Sequence, residues 1–84
     1  MTVVTMHPVK SSQILSVGYD PKLEILYIEF LNWSVYCYHE VPGDVAGVML
    51  SPSTSVGSYF AKEIKGHFRY DKLAAKVNNG TLKP

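Results

Sequence analysis

Between residues 12 and 41 the apolar positions fall mostly at every second residue. From residue 45 onward they fall at every third or fourth, so strands should give way to helices. Leu23 to Phe30 alternates most clearly. Leu26, Ile28 and Phe30 share one face, and Leu23, Ile25, Tyr27 and Glu29 the other. Apolar residues on both faces predict a central strand that is at least partly covered on each side. Ser12 to Tyr19 predicts a strand before it. There Ile14, Val17 and Tyr19 cannot share a face under strict alternation, so a bulge is expected. Asp20-Pro21-Lys22 is a turn, because proline presets φ and the aspartate side chain can accept from nearby amides. Leu31-Asn32-Trp33-Ser34 has the length of a hairpin loop. Val35 to Val41 is a third strand, stopped by Pro42. Strands joined this tightly predict an antiparallel meander.

Pro42-Gly43-Asp44 opens a helix, with Val45, Val48 and Met49 as its apolar stripe and an end by Ser51-Pro52. Ser53, Thr54 and Ser55 are N-cap residues for a second helix, in which Val56, Tyr59, Phe60 and Ile64 recur at amphipathic spacing. Gly66 suits its C-cap. His67 to Leu73 reads as extended, or as a turn before a last short helix. The expected fold is α+β: a three-stranded antiparallel meander followed by two α-helices packed on one face. Residues 11–73 form the single domain, 1–10 a flexible lead-in and 74–84 a flexible tail. The expected core is Ile14, Val17, Leu26, Ile28, Phe30, Tyr36, Val45, Val48, Met49, Val56, Phe60 and Ile64.

Composition changes this picture little, but charge does. The net charge of +1 conceals an asymmetry. Residues 1–61 carry Lys10 and Lys22 against Asp20, Glu24, Glu29, Glu40 and Asp44. Residues 62–84 carry Lys62, Lys65, Arg69, Lys72, Lys76 and Lys83 against Glu63 and Asp71. A basic C-terminal third points to an acidic partner or nucleic acid, against the plainer reading of a solvated helix face and tail. The lone cysteine, Cys37, excludes an internal disulfide and a cysteine-rich metal site. No apolar run approaches the ~20 residues that span a bilayer, and the start lacks the features of a signal peptide, so a cytoplasmic protein with no membrane partner is expected.

Catalytic motifs are absent from the sequence. There is no phosphate-cradling glycine loop and no Gly-x-Gly-x-x-Gly. His7, His39 and His67 have no ligand-spaced partners. Cys37 and His39 sit two apart on one strand face, but no third orienting residue is evident, so the pair is read as structural. No enzyme, no cofactor and no metal is expected. What remains is a surface of tyrosines on a sheet beside basic residues. Aromatic faces stack on unpaired bases and lysines supply phosphate affinity, which suits single-stranded RNA. Tyrosines on a sheet also fill cores and make protein interfaces. Alternation alone leaves open which face of Val35 to Val41, that of Tyr36 and Tyr38 or that of Cys37 and His39, turns inward. Trp33, at the hairpin tip, either folds back over the sheet edge or stands out as a contact residue.

The ordered set Ile14-x-x-Val17-x-Tyr19-Asp20, Leu26-x-Ile28-x-Phe30, Tyr36-x-Tyr38-x-x-Val41-Pro42, Ser55-x-Gly57-x-Tyr59-Phe60-x-x-x-Ile64 and Phe68-x-Tyr70 resembles the KTSC domain. That family is named for the C-terminal region of some lysyl-tRNA synthetases and also occurs as stand-alone bacterial and phage proteins. The resemblance runs from about Ser11 to Leu73. It implies a module of unestablished function for which RNA binding has been suggested. It also implies that the two tyrosines recur while the residue between them varies. The chain departs from the pattern at Trp33, where the hairpin usually has glycine, at Ala61 for a frequent asparagine, and at Arg69 for a frequent proline. The segment between Pro42 and Ser55 is one residue longer. From residues and resemblance together, a small non-enzymatic binding module is expected, with RNA as partner. The alternative is a protein-interaction or oligomerisation module. Tyr38 and Trp33 are the candidate base contacts, and Lys62, Lys65, Arg69 and Lys72 the candidate phosphate contacts. Tyr36 is expected to be structural, holding the helices to the sheet.

Overall fold

The computed structural model describes residues 3–51 and 55–84. The expected helix stop at Pro52 and the cap residues Ser53 and Thr54 lie outside the described residues. The chain runs β1 (Val4–Thr5), β2 (His7–Pro8), β3 (Ile14–Asp20), β4 (Ile25–Phe30), β5 (Val35–Tyr38), α1 (Gly43–Met49), α2 (Val56–Tyr59), β6 (Tyr70–Leu73) and β7 (Thr81–Leu82). A π-helical turn, Phe60–Ile64, continues α2 directly. The α+β class stands, but the sheet is larger than expected. The meander β3-β4-β5 is its centre, and β2 and β6 extend it to five antiparallel strands in the order β2-β3-β4-β5-β6. Of the two readings of residues 67–73, the extended one holds for Tyr70 to Leu73, which pairs along the whole of β5, while His67 and Phe68 form the turn before it.

The local chemistry of the turns explains the register. Asp20 Oδ1 accepts from the amides of Lys22 and Leu23 at 3.0 and 3.2 Å, which prolongs the turn. Glu24 follows with φ of 55°, so β4 begins at Ile25 and Leu23 stays exposed. The expected irregularity in the first long strand falls between Ile14 and Ser16, where the pairing with β4 shifts. In the β4-β5 hairpin Phe30 N donates to Ser34 O at 2.9 Å and Trp33 N to Phe30 O at 2.8 Å. Trp33 takes φ of 66°, the left-handed region that glycine enters freely, at a cost of roughly 1–2 kcal/mol for an L-residue.

The helix-side core joins Ile14, Val17, Leu26, Ile28, Tyr38, Val41, Ala46, Met49, Val56, Phe60 and Ile64. In α1, Ala46 and Met49 turn inward, while Val45 and Val48 are only half-buried, so the expected stripe is rotated. Ser55 occupies the N-cap position of α2, but its hydroxyl donates to Ser58 Oγ and caps no backbone amide. The π turn is closed by Lys65 N donating to Phe60 O at 2.9 Å. It brings Phe60 and Ile64, four apart, into the core together. Gly66, at φ of 82°, ends the helical segment.

A second core, on the opposite face of the sheet, was not expected. Val4, Met6, Tyr27, Val35, Cys37 and Leu82 are buried in it, with Ile25, Leu73, Ala75 and Val77 packed against it. The two chain ends, expected as a lead-in and a tail without regular structure, supply its cover. Val4 pairs with Leu82 and Thr5 with Thr81 in a separate two-stranded ribbon, and Met6 N donates to Gly80 O at 2.8 Å. Gly18 permits this close approach, because a Cβ there would stand 2.5 Å from Met6 Sδ and 2.8 Å from Thr5 O. Among the described residues, no helix is long and apolar enough to cross a membrane.

Two expectations test these cores. Leu82 is fully buried, so Leu82→Ala should lower unfolding free energy by about 2–5 kcal/mol. A loss under about 0.5 kcal/mol in urea unfolding, typical of a surface site, would show that the C-terminal end does not cover the sheet. The Tyr38 phenol is pushed up to about 12, first by burial and then by Tyr70, Tyr36 and Cys37. Its folded value lies above the unfolded value of 10.0, so its stabilisation is intact below pH 10 and is lost as pH rises towards 12. Stability measured across that window should fall by less than ~1.4 kcal/mol per pH unit on its account, the unscreened limit. Tyr38→Phe should flatten that fall, and an unchanged slope in the variant would contradict the assignment.

Candidate binding cleft

Directly opposed residues on neighbouring antiparallel strands share a face. Tyr36 opposes Ile28 on β4 and Lys72 on β6, and Tyr38 opposes Leu26 and Tyr70. Both tyrosines therefore face the helices, whereas Cys37, opposite Tyr27 and Asp71, faces the other way. The two tyrosines differ in depth, in the reverse of the expected order. Tyr38 is 5% exposed and sits in the core, its ring edge-on to Phe60 at 5.6 Å. It lies nearer the chain's exit into α1, where Val41 and the helices close over the sheet. Tyr36, closer to the hairpin, is only half-buried. Tyr38 is thus a structural residue and Tyr36 the more accessible one.

Beyond the reach of the helices this face opens into a cleft of about 710 Å³. Phe30, Tyr36, Tyr38, Phe60 and Tyr70 provide its aromatic lining, and Lys65 stands on its wall. The rings hold one another. Phe30 meets Tyr36 edge-on at 5.5 Å and Phe60 at 5.6 Å. Tyr70, which is 56% exposed, tilts against Tyr36 at 5.9 Å and Tyr38 at 5.6 Å. Edge-to-face and tilted contacts of this kind fix ring orientation and contribute about 0.5–1.5 kcal/mol each beyond burial. The result is a concave surface of aromatic rings with polar groups at Ser12, Gln13, Asn32, Ser34 and Lys65, a form that suits a small-ligand site.

The structure gathers the sequence candidates only in part. Lys65 lines the cleft, and Lys72 shares the cleft face of the sheet by its register with Tyr36. Lys62 is exposed on the π turn and Arg69 is exposed just before β6. Trp33 stands out at the hairpin tip, 65% exposed, rather than folding over the sheet edge. Its carbonyl accepts from Lys76 Nζ at 3.3 Å. Tyr36 and Tyr70, not chosen as contacts from the sequence, are the partly exposed rings that line the cleft. Nothing in the spacing of Tyr70 marked it. Its position depends on the pairing of β6 with β5, which joins segments more than thirty residues apart.

That same pairing supplies the third residue that Cys37 and His39 lacked. His39 Nε2 lies 2.8 Å from Asp71 Oδ2 and 3.7 Å from Cys37 Sγ. One nitrogen therefore faces both groups. A nucleophilic relay would instead place the carboxylate on the other ring nitrogen. Burial pushes the Cys37 thiol up, and the Asp71 charge adds to this, against the opposing pull of the Asp71 backbone N–H. The arrangement does not favour a thiolate nucleophile.

With this geometry in place, comparison with known proteins is informative. The model of the KTSC domain matches residues 10–68. An uncharacterised protein of Stutzerimonas stutzeri is 38% identical over 65 residues, covering 76% of this chain and 90% of that protein. A lysine–tRNA ligase of Nostoc is 38% identical over 65 residues, covering 77% of this chain but 11% of the ligase. The crystal structure of a KTSC domain protein from Yersinia pestis superposes with a TM-score of 0.78 at 38% identity, over 83% of this chain and 97% of that one. The matched residues run from before β3 to Phe68 and so take in the meander, both helices and four of the five cleft rings, and the chain belongs to the KTSC domain family.

Proposed function

We propose that the chain is a small non-enzymatic binding module that takes single-stranded RNA into the aromatic cleft. One observation carries the reading: partly exposed tyrosine rings, already oriented by their neighbours, share a concavity with a lysine. In it, bases stack on Tyr36 and Tyr70. Lys65 and Lys72 meet phosphates from within or beside the cleft, and Lys62 and Arg69 extend the cationic track. Trp33, at the hairpin tip, offers a further stacking face. Stacking is indifferent to base identity and phosphate attraction to sequence, so the expected binding is sequence-tolerant. The match to a segment of lysine–tRNA ligases supports RNA over other anionic polymers, since those relatives are named for a reaction on tRNA. The same reading places the protein in the cytoplasm.

A second reading has one specific observation in its favour. β6 is one of the two edge strands of the sheet, and Tyr70, Asp71 and Lys72 are exposed along it. Such an edge can take a strand from a protein partner or from another copy of the chain.

Anisotropy titrations of a labelled single-stranded RNA separate the two. On the RNA reading, affinity falls as salt rises, and Lys65→Ala reduces the slope of log affinity against log salt by about 0.7. Tyr70→Ala should weaken binding by the ~1–3 kcal/mol of one lost stacking contact. Absence of binding at low salt, or affinity indifferent to salt, sinks the RNA reading. A mass that rises with concentration, without RNA affinity, would favour the edge-strand reading instead.

A further inference from the structure

The face of β5 turned away from the cleft carries a cluster that RNA binding does not use. Cys37 lies in β5, His39 follows one residue past the strand's end, which comes at Tyr38 rather than at the expected Val41, and Asp71 stands opposite Cys37 on β6. Cys37 Sγ, His39 Nε2 and an Asp71 carboxylate oxygen all lie within 4.8 Å of one another. We propose that these three residues bind a zinc ion, with water in the fourth position. A thiolate, an imidazole and a carboxylate form a donor set suited to zinc, and three protein ligands with one open position is a recognised zinc arrangement.

One of the two short distances already matches a tetrahedral zinc site, and the other comes close to it. Zinc–sulfur and zinc–nitrogen bonds of ~2.3 and ~2.05 Å at a tetrahedral angle place the two ligand atoms roughly 3.6 Å apart. Sγ and Nε2 are 3.7 Å apart. The nitrogen and carboxylate oxygen of a tetrahedral site would be roughly 3.3 Å apart. They are 2.8 Å apart as a hydrogen-bonded pair, so the exposed Asp71 side chain needs to move out by about half an ångström to admit the ion. Charge also balances. On binding, the thiol proton passes to solvent, the imidazole stays neutral, and thiolate plus carboxylate offset the two positive charges.

The scaffold holds the ligands and leaves a way in. Cys37 lies on a strand paired along its length on both sides, and His39, one residue past the end of β5, is tied down by its N–H, which donates to Arg69 O at 2.8 Å. Cys37 is buried, but the Asp71 side chain is 66% exposed on an edge strand of the sheet, so the ion enters from the Asp71 side.

Cobalt(II) titration of the full chain, with Cys37 kept reduced, tests the site. The expected result is an ultraviolet thiolate-to-cobalt charge-transfer band and the visible bands of a tetrahedral centre, saturating at one cobalt per chain and bleached by zinc. Cys37→Ser should remove the charge-transfer band. Asp71→Ala alters an exposed side chain and should leave the fold intact by circular dichroism. It should weaken cobalt binding roughly tenfold or more, as should His39→Ala. No charge-transfer band at millimolar cobalt overturns the proposal, as does a band equally strong and equally tight in both alanine variants. The site lies on the opposite face from the cleft, so neither result bears on the RNA reading.

Discussion

The double-sided burial of β4 is the constraint from which the rest of the structure follows. Leu26 and Ile28 are fully buried on one face, and Tyr27 and Glu29 nearly so on the other. A strand can be dry on both faces only if the sheet is covered twice. The helices provide one layer. A domain of this length has no spare helix for the second, because small chains bury only a modest fraction of their surface. The chain ends provide it instead, pairing with each other across the sheet and burying Val4, Met6 and Leu82. The carboxylate that this second layer encloses has a partner, for Ser16 Oγ donates to Glu29 Oε1 at 2.7 Å. A buried acceptor left without one would cost about 1–3 kcal/mol or more.

The cleft follows from the lengths of the covering elements. The seven residues of β3 span about 23 Å, whereas the seven of α1 span about 10 Å. The four residues of α2 and the five of the π turn add a second short rod. Helices this short cannot roof the sheet from end to end. They close over the end where β5 leads into α1, and Tyr38 and Val41 are buried there. At the hairpin end Phe30 and Tyr36 reach past them, and β6 brings Tyr70 alongside. The aromatic residues fill part of the gap with one another, and what they leave open is the cleft. The π turn belongs to the same geometry: by holding Phe60 and Ile64 in the core it puts Lys65 on the cleft wall.

The local part of this was legible in the sequence. Alternation marked the meander and the bulge near Ile14, turn chemistry marked Asp20-Pro21-Lys22, and helical spacing marked Val56, Phe60 and Ile64. Those signals act over a few residues and need no knowledge of what lies opposite. The parts that were not legible depend on distant pairing. Tyr38 and Tyr36 are equivalent in alternation, and only the position of the helix roof makes one deep and the other shallow. Asp71 had no visible relation to Cys37 until β6 was paired with β5. Val4 and Leu82 sit in segments too short and without the periodicity to announce a strand, and each is held by the other. Sequence left Trp33 to fold back or to stand out, and it stands out, on a backbone in the left-handed region.

The alternation of β5 gives this small domain two chemically distinct surfaces. Tyr36 and Tyr38 commit one face to the rings of the cleft, and Cys37, by the pleat alone, is placed on the other. The residue between the tyrosines can therefore change its chemistry without moving a ring, provided that the second core tolerates its volume. The same holds on β6, where Tyr70 and Lys72 belong to the cleft face and Asp71 to the opposite one. Alternate residues of two paired strands thus serve two surfaces separated only by the thickness of a sheet. Substitutions at Asp71 and at Tyr70 are adjacent in sequence yet act on different faces.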